Sequence, residues 1–253
     1  MRAIKVVFFD AGGTLFRPYP SVGAVYARVA AAHGVQVDAD HVEKAFHEKW
    51  HERNGMTSLA GLASEKIERE WWYQMVRDVF SGNSSSSAAS GRGCMDSPPT
   101  AAGNDGTPFH DFDGFFQELY DLFARAECWR LFEDTIPVLD LLKGKGLRLA
   151  VISNWDHRLF SIVDQLGLSA YFEQVTASSA MGTAKPGKRI FEAALEGMRI
   201  PASEGLHVGD SLEDDYHGAS RAGLRAVLLD RHAKGYNGVV RIHSLHQLPD
   251  LLK

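Results

Sequence analysis

A short apolar run near the amino terminus constrains the fold more than any other stretch of the chain. Residues 4–9 read Ile-Lys-Val-Val-Phe-Phe, and Asp10 and the pair Gly12-Gly13 follow closely. A β-branched and aromatic run of this kind is typical of a strand buried on both faces of a parallel sheet. The glycines allow the backbone to leave the sheet in conformations that side chains disfavour. The pattern therefore places Asp10 at the carboxyl end of a central strand, where open α/β sheets bind their ligands.

A carboxylate at that position has more than one use. It can act as a nucleophile, as a metal ligand, or as both. It can equally be an acid that ends the strand and caps the following turn. The choice depends on which other side chains the rest of the chain brings to the same edge of the sheet.

Composition narrows the class of protein. The chain has 253 residues, 45% of them apolar and 23% charged, which is ordinary for a globular protein. A net charge of -5 without a basic stripe argues against a nucleic-acid partner. No segment is long enough to span a membrane, and the first apolar run is too short for a signal peptide. Because Cys94 and Cys128 form no disulfide framework, we expect a cytoplasmic protein, and no pattern indicates its oligomeric state.

Helical periodicity dominates the chain between the first strand and about residue 127. Apolar spacing and capping residues predict four helices, which begin at Ser21, near Asp38 or Asp40, near Ser64 and at Phe109. The apolar side chains on these helices, including Trp71 and Trp72, are predicted to form a core. Residues 81–108 are rich in Ser, Gly, Ala and Pro and have almost no large apolar side chain. We therefore expect a disordered insertion there.

Strands and helices alternate over the remainder of the chain. Strands are predicted at 147–152, 172–176, 205–208 and 225–229, and helices at 137–145, 156–166, 187–198, after 210 as far as 222, and 245–252. This alternation implies right-handed crossovers and a parallel sheet. The predicted fold class is α/β, with a Rossmann-like parallel-sheet core (1–17 and 128–253) and an inserted α-helical cap domain (18–127).

Three predicted strands end in polar side chains, and those ends lie at one edge of a parallel sheet. They carry Asp10, Ser153-Asn154 and Asp210. Lys185 lies just before the helix predicted at 187–198. Two carboxylates held close together repel unless a cation lies between them, and Mg²⁺ prefers such oxygen ligands. Lys185 and Ser153 are suited to hold the oxygens of an anionic substrate. The set predicts metal-assisted attack by Asp10 on a phosphoryl group.

Taken together, these motifs resemble those of the haloacid dehalogenase superfamily of hydrolases. The resemblance rests on four stretches: residues 10–15 (Asp-Ala-Gly-Gly-Thr-Leu), 152–154 (Ile-Ser-Asn), 185–186 (Lys-Pro) and 208–215 (Val-Gly-Asp-Ser-Leu-Glu-Asp-Asp). It implies that Asp10 forms an aspartyl-phosphate, that Ser153 binds a phosphoryl oxygen and that Lys185 neutralises charge. Thr14 is expected to donate a hydrogen bond inside the site, and Asn154 to support the loop.

The same resemblance implies a Mg²⁺ site and a small phosphorylated substrate. Asp10, the backbone carbonyl of Gly12 and Asp210 would hold the ion. A further acid in the last motif would orient a metal-bound water. Asp215 fits that spacing better than the alternative, Asp214.

One position departs from the family pattern. Phosphatases of this superfamily usually carry a second aspartate two residues after the nucleophile, where it protonates the leaving group and later activates water; here that position is Gly12. A slow phosphatase is therefore the main prediction. The alternatives are a 2-haloacid dehalogenase or phosphonatase-like enzyme, and a catalytically silent binding protein. Gly209-Asp210 is atypical of the dehalogenases, and Lys44, Lys49 and Lys66 lie in no context that marks a Schiff-base lysine.

A zinc site is an unrelated alternative. Residues 47–51 read His-Glu-Lys-Trp-His, which matches the HExxH pattern of zinc proteases on a predicted helix. Glu68 or Glu70 would then supply the third ligand. With eleven histidines in the chain, two of them on an exposed helix face is the simpler interpretation.

Overall fold

The computed structural model describes residues 3–59, 63–81 and 106–252. In these residues a six-stranded parallel sheet has the strand order β5-β4-β1-β6-β7-β8, and β2 pairs with β3 in a separate antiparallel ladder. The strands are β1 (Val6–Phe9), β2 (Phe16–Pro18), β3 (Trp129–Leu131), β4 (Arg148–Ser153), β5 (Gln174–Ala177), β6 (Gly205–Gly209), β7 (Arg225–Leu229) and β8 (Arg241–Ile242).

Helices lie between most of these strands. They are α1 (Val22–Ala32), α2 (Ala39–Glu52), α3 (Glu65–Ser81), α4 (Phe112–Leu122), α5 (Thr135–Gly144), α6 (Arg158–Gln165), α7 (Ser178–Met181), α8 (Lys188–Met198) and α9 (Gly218–Arg221). Tighter 3₁₀ turns occupy Gly55–Leu59, Ala126–Cys128, Ala202–Glu204 and Leu245–Leu252, and a π-helical turn occupies Leu212–His217. No helix in the described parts of the chain is both long and apolar enough to cross a membrane.

The first strand lies at the centre of the parallel sheet. It pairs with β4 on one side and β6 on the other, and its four residues are fully buried. Because successive side chains point to opposite faces, Val7 and Phe9 join one apolar layer while Val6 and Phe8 join the other. The predicted α/β class and the position of Asp10 at the carboxyl end of this strand are confirmed.

Helices α1 to α4 have an apolar core of their own, and we call this helical unit the cap. Its largest buried side chains include Met75, Phe80, Phe109 and Phe115. The chain enters the cap along β2 and leaves it along β3, and these two strands pair from Phe16–Leu131 to Pro18–Trp129. The predicted domain boundary after residue 17 falls inside β2 and stays a prediction.

Several predicted elements differ from the observed ones. Residues 16–18 form the short strand β2, which the sequence patterns did not predict. Pro18 is tolerated there because β2 belongs to a two-stranded ladder and both of its strands are edge strands. The helix expected from Phe109 begins only at Phe112, because the Asp111 side chain accepts the N–H of Gly114 and caps it. The last helix is a 3₁₀ turn that contains Pro249.

One further prediction, the helix that ends at residue 222, needs correction, and another, the insertion, concerns residues that the structure describes only in part. The Asp156 carboxylate accepts the backbone N–H of Arg158, the first residue of α6, and also binds the Arg158 guanidinium, while His157 occupies the position before the helix. The helix predicted as far as residue 222 is a π-helical turn followed by α9. Most of the insertion predicted at 81–108 lies outside the described residues; within it, Ser81 ends α3 and Thr107 is buried.

Candidate active site

Asp10 is held by three side chains that the fold brings to the end of β1. Its Oδ1 accepts hydrogen bonds from Ser153 Oγ at 2.9 Å and Lys185 Nζ at 2.6 Å. Its Oδ2 accepts a longer bond of 3.3 Å from Thr14 Oγ1. Burial and the nearby charge of Asp215 raise the pKa of Asp10, and the Lys185 ammonium opposes that shift. A carboxylate oriented in this way can attack a substrate bound next to it.

Lys185 bridges two carboxylates. Its Nζ lies 2.6 Å from Asp10 Oδ1 and 2.6 Å from Asp215 Oδ1, and the side chain is almost completely buried. Burial alone would lower the pKa of Lys185, but the two carboxylates outweigh it and hold the pKa above its usual value. Asn154 fixes the lysine backbone, because its Oδ1 accepts from Lys185 N and its Nδ2 donates to Lys185 O. Asn154 therefore acts on the site through Lys185.

Asp215 lies beneath the site, and all its partners come from the core. Besides Lys185, its Oδ1 lies 2.9 Å from His207 Nε2, and its Oδ2 accepts from Ser211 N at 3.0 Å. Burial would raise the pKa of Asp215, but Lys185 and His207 hold it well below its usual range. Sequence analysis missed His207; the available signal was a single polar residue inside the buried strand β6.

Asp214 has a different environment from its neighbour. Both of its oxygens lie 3.0 Å from the hydroxyl of Thr57, in the 3₁₀ turn that follows α2 of the cap. Burial, reinforced by the charge of Asp215 and opposed by Lys185, raises the pKa of Asp214 to about 6. Asp214 thus links the core to the cap, whereas Asp215 supports Lys185. Thr57 is a second residue that sequence analysis missed.

The carboxylates form a set that fits a hard divalent cation. Oxygens of Asp10, Asp210 and Asp215 lie within 4.8 Å of one another. Asp210 is exposed to solvent on one side, but protein surrounds its carboxylate on the others. This burial, together with the charges of Asp10 and Asp215, raises the pKa of Asp210. A cation among these oxygens would relieve the repulsion. A Cβ on Gly13 would lie 2.5 Å from Asp210 Oδ2, so a glycine is needed for the carboxylate to approach this closely.

A cleft of about 740 Å³ lies over this carboxylate set, between the core and the cap. We call Asp10, Ser153, Lys185, Asp210 and Asp215 the floor of the cleft. Aromatic side chains form much of the remaining surface, and we call the following six the aromatic wall: Phe46, Trp50, Trp72, Phe123, Trp129 and Trp155. Trp71 is buried as predicted, but Trp72 lines the cleft and is only half-buried.

The two histidines of the HExxH pattern lie on the solvent-exposed face of a cap helix. His47 and His51 are exposed on α2, and His47 Nε2 lies 3.2 Å from Glu43 Oε1. Glu68 is buried against Ser178. Within the described residues, the clusters of three or more potential ligands are the floor acids and the group Glu65, Asp156 and His157. The two HExxH histidines belong to neither cluster, so the geometry does not support a zinc site there.

Comparison with known proteins identifies the class. The sequence model of the haloacid dehalogenase-like hydrolases matches residues 4–223. The chain therefore belongs to the haloacid dehalogenase-like hydrolase family, as the four motifs indicated.

The chain is also similar to individual proteins of known sequence or structure. The chain is 31% identical to haloacid dehalogenase-like hydrolase domain-containing protein 3 of Mus musculus over 226 residues, which cover 89% of this chain and 82% of that protein. It is 36% identical to the glyceraldehyde 3-phosphate phosphatase of Methanothermobacter thermautotrophicus over 138 residues, which cover 49% of this chain and 59% of the relative. The fold matches the putative hydrolase YfnB of Bacillus subtilis, with a TM-score of 0.69, 17% identity and full coverage of both chains.

Proposed function

We propose that this hydrolase is a Mg²⁺-dependent phosphatase that acts on small phosphorylated substrates through an aspartyl-phosphate on Asp10. The observation that carries the proposal is the position of the Asp10 carboxylate, which Ser153 and Lys185 orient on the floor of the cleft beside two further acids. The similarity to a protein named glyceraldehyde 3-phosphate phosphatase supports phosphoryl chemistry, although it covers 49% of the chain.

In the proposed reaction, an oxygen of Asp10 attacks phosphorus. Lys185 and the Ser153 hydroxyl bind the non-bridging oxygens, and Asp215 and Asn154 keep Lys185 in place. The bond from phosphorus to the ester oxygen breaks, and water then hydrolyses the aspartyl-phosphate to regenerate the carboxylate. Asp10, Asp210 and the Gly12 carbonyl would hold Mg²⁺, with Asp215 supporting it indirectly; when bound, the ion supplies positive charge that offsets the developing negative charge.

The absence of an acid at position 12 predicts slow turnover. A positioned general acid contributes about a hundredfold to ten-thousandfold in rate. Hydrolysis of carbon–halogen or carbon–phosphorus bonds and a purely binding role are the alternatives that this departure leaves open. Asp210 argues against the dehalogenase alternative, because C–halogen hydrolysis has no need of the second carboxylate that a cation site requires.

Phosphate release from 4-nitrophenyl phosphate, with and without Mg²⁺, tests the proposal. We expect activity that requires Mg²⁺ and that is lost in Asp10→Asn, which preserves side-chain shape but removes the nucleophilic charge. Equal rates in the two proteins would refute the assignment of Asp10. If neither protein releases phosphate while a haloacid is hydrolysed, the dehalogenase alternative replaces the proposal.

A further inference from the structure

The space beside Gly12 is occupied by an indole ring. A Cβ on Gly12 would lie 2.8 Å from Cζ3 and 3.3 Å from Cη2 of Trp155. The φ of Gly12 lies outside the left-handed region, so the backbone itself would accept a side chain. It is therefore the Trp155 ring that limits position 12 to glycine. The residue two positions after the proposed nucleophile and the residue two positions after Ser153 compete for the same volume.

Neighbouring contacts hold this ring in place. Trp155 packs edge to face against Phe16 and Trp129, with ring centroids 5.8 and 5.1 Å apart. Its backbone N–H donates to Ser178 Oγ at 2.9 Å, and its carbonyl accepts from Ser179 N. Because ring and backbone are both anchored, a side chain at position 12 cannot displace the indole without breaking packing. Trp155 is thus a rigid part of the cleft next to Asp10.

The consequence for an ester substrate concerns its leaving oxygen. Position 12 presents a carbon edge in place of a proton donor, so no side chain at this position protonates the leaving oxygen. An alkoxide is a poor leaving group because its conjugate acid, like water, has a pKa of about 16. A phenolate is far better, since phenols such as the tyrosine side chain have a pKa of about 10.

The shape and chemistry of the cleft favour the same kind of leaving group. Its volume of about 740 Å³ suits a ring-bearing ligand. The wall residues contact one another in two connected groups: Trp50 with Phe46 and Trp72, and Trp129 with Phe123 and Trp155. An aromatic ring of a ligand can stack on these faces or edges. The polar floor and the apolar wall together match an anion attached to an aromatic group.

We propose that Trp155 is a specificity-determining residue that makes this enzyme selective for phosphate monoesters of phenols. The inference rests on the proposed phosphatase function and defines its substrate class. An Asp10 oxygen forms a bond to phosphorus while the bond from phosphorus to the aryl oxygen breaks, and the electron pair leaves with the phenolate. The phenolate takes its proton from water. A second water then attacks phosphorus, which releases phosphate and restores the carboxylate.

Two esters that differ by one methylene group separate leaving-group chemistry from ring binding. Phenyl phosphate releases a phenol, whereas benzyl phosphate carries the same ring but releases an alcohol. We expect the wild-type kcat/KM for phenyl phosphate to exceed that for benzyl phosphate by at least about a hundredfold, the range in which a general acid contributes. This ratio is compared because both esters give the same aspartyl-phosphate, and kcat/KM covers only the steps through departure of the leaving group. The dissociation constants of the two aromatic esters, measured on Asp10→Asn, should be similar, and both should be lower than that of glycerol 2-phosphate. Equal kcat/KM values for the two aromatic esters would overturn the inference.

Variants at the two competing positions test the role of Trp155 directly. Gly12→Asp alone should show no gain with benzyl phosphate, because the ring occupies the space. Gly12→Asp combined with Trp155→Gly should hydrolyse benzyl phosphate at least about tenfold faster than Trp155→Gly alone, since an acid now reaches the leaving oxygen. Gly12→Asn with Trp155→Gly is the matched control, with the same shape but no acid, and should show no such gain. A gain in Gly12→Asp alone, or an equal gain in the asparagine control, would refute the mechanism.

Stability and activity controls keep the outcomes distinct. If Trp155→Gly lowers the thermal unfolding temperature sharply, Trp155→Phe replaces it in the double variants, and the comparison of phenyl with benzyl phosphate on the wild type needs no variant. If the phosphatase proposal itself is wrong, no ester is hydrolysed faster by the wild type than by Asp10→Asn. If only the selectivity is wrong, hydrolysis depends on Asp10 but phenyl and benzyl phosphate react alike.

Discussion

The floor and the wall of the cleft use opposite physical chemistry. On the floor, buried charges are paired at short range, and Lys185 bridges Asp10 and Asp215 at 2.6 Å from each. On the wall, aromatic rings pack against one another, as Trp129 does with Phe123 and Trp155. Asp10, Ser153 and Asp210 of the floor lie at the carboxyl ends of neighbouring strands. Phe46, Trp50 and Trp72 of the wall lie in cap helices. The comparison suggests that the floor determines the reaction and the wall determines which substrates reach it.

Loss of the proposed nucleophile, Asp10, should have the largest effect on activity, and substitutions in the wall should not reproduce it. Asp10→Asn is expected to lower kcat by at least about a thousandfold, because no other group on the floor can form the phosphoryl bond. Trp50→Phe, which preserves a ring in the wall, should instead change KM by less than about tenfold. Steady-state kinetics on phenyl phosphate make the comparison. A Trp50→Phe variant that loses kcat as severely would remove the distinction between the two surfaces.

Removal of the bridging lysine should cost stability as well as activity. Lys185→Met leaves Asp10 and Asp215 buried without their counter-charge, so the free energy of unfolding should fall by about 3–5 kcal/mol. Lys188→Met is the matched control, because Lys188 forms an exposed pair with Glu192 on α8 and should cost less than about 1 kcal/mol. Urea denaturation measures both. Equal losses in the two variants would show that the charge pairing on the floor is not special.

A buried acid at the boundary between cap and core should make stability depend on pH. Glu68 on α3 is fully buried; its Oε1 accepts from Ser178 Oγ at 2.6 Å, and its Oε2 has no hydrogen-bond partner among the described residues. Burial raises the pKa of Glu68 from 4.5 to about 7. The folded protein therefore holds a proton that the unfolded chain releases, and the stability contributed below pH 4.5 is lost as the pH rises through about 7.

The shift of the Glu68 pKa corresponds to at most about 3 kcal/mol. Glu68→Gln should remove this pH dependence and leave the protein more stable than the wild type above neutrality. Urea denaturation at about pH 5 and about pH 8 compares the two proteins, with the exposed Glu70→Gln as the control. An unchanged slope in Glu68→Gln would mean that other groups cause the pH dependence.

The weakest of these effects concerns the single hydrogen bond between the cap and Asp214. Thr57→Val removes the hydroxyl that contacts both oxygens of Asp214, and a net hydrogen bond contributes about 0.5–1.5 kcal/mol. We expect a KM increase of about two- to tenfold with kcat nearly unchanged, because the closed cleft becomes less favourable. Thr57→Ser retains the hydroxyl and should behave like the wild type. A fall in kcat instead would show that Thr57 acts on the chemical step, as the floor residues are proposed to do.

Local sequence patterns were sufficient for the strand core and for most of the floor. Asp10, Ser153 and Asp210 were predicted to meet because each ends a strand of one parallel sheet, and their geometry follows from that topology. The predicted alternation of strands and helices likewise reflects local periodicity. His207 escaped notice because a single polar residue in a buried strand carries no local signal of its partner.

The α/β fold, the family and most of the charged groups of the floor can therefore be inferred from local sequence patterns. Three contacts could be found only in the folded protein: Thr57 of the cap binds Asp214, Trp72 lines the cleft, and Trp155 fills the space beside Gly12. These contacts join residues that lie far apart in the chain. Which side chains meet depends on how the cap packs against the core, and local sequence does not specify that packing. A strand end, by contrast, has its position set by the backbone ladder, which a short stretch of sequence already specifies.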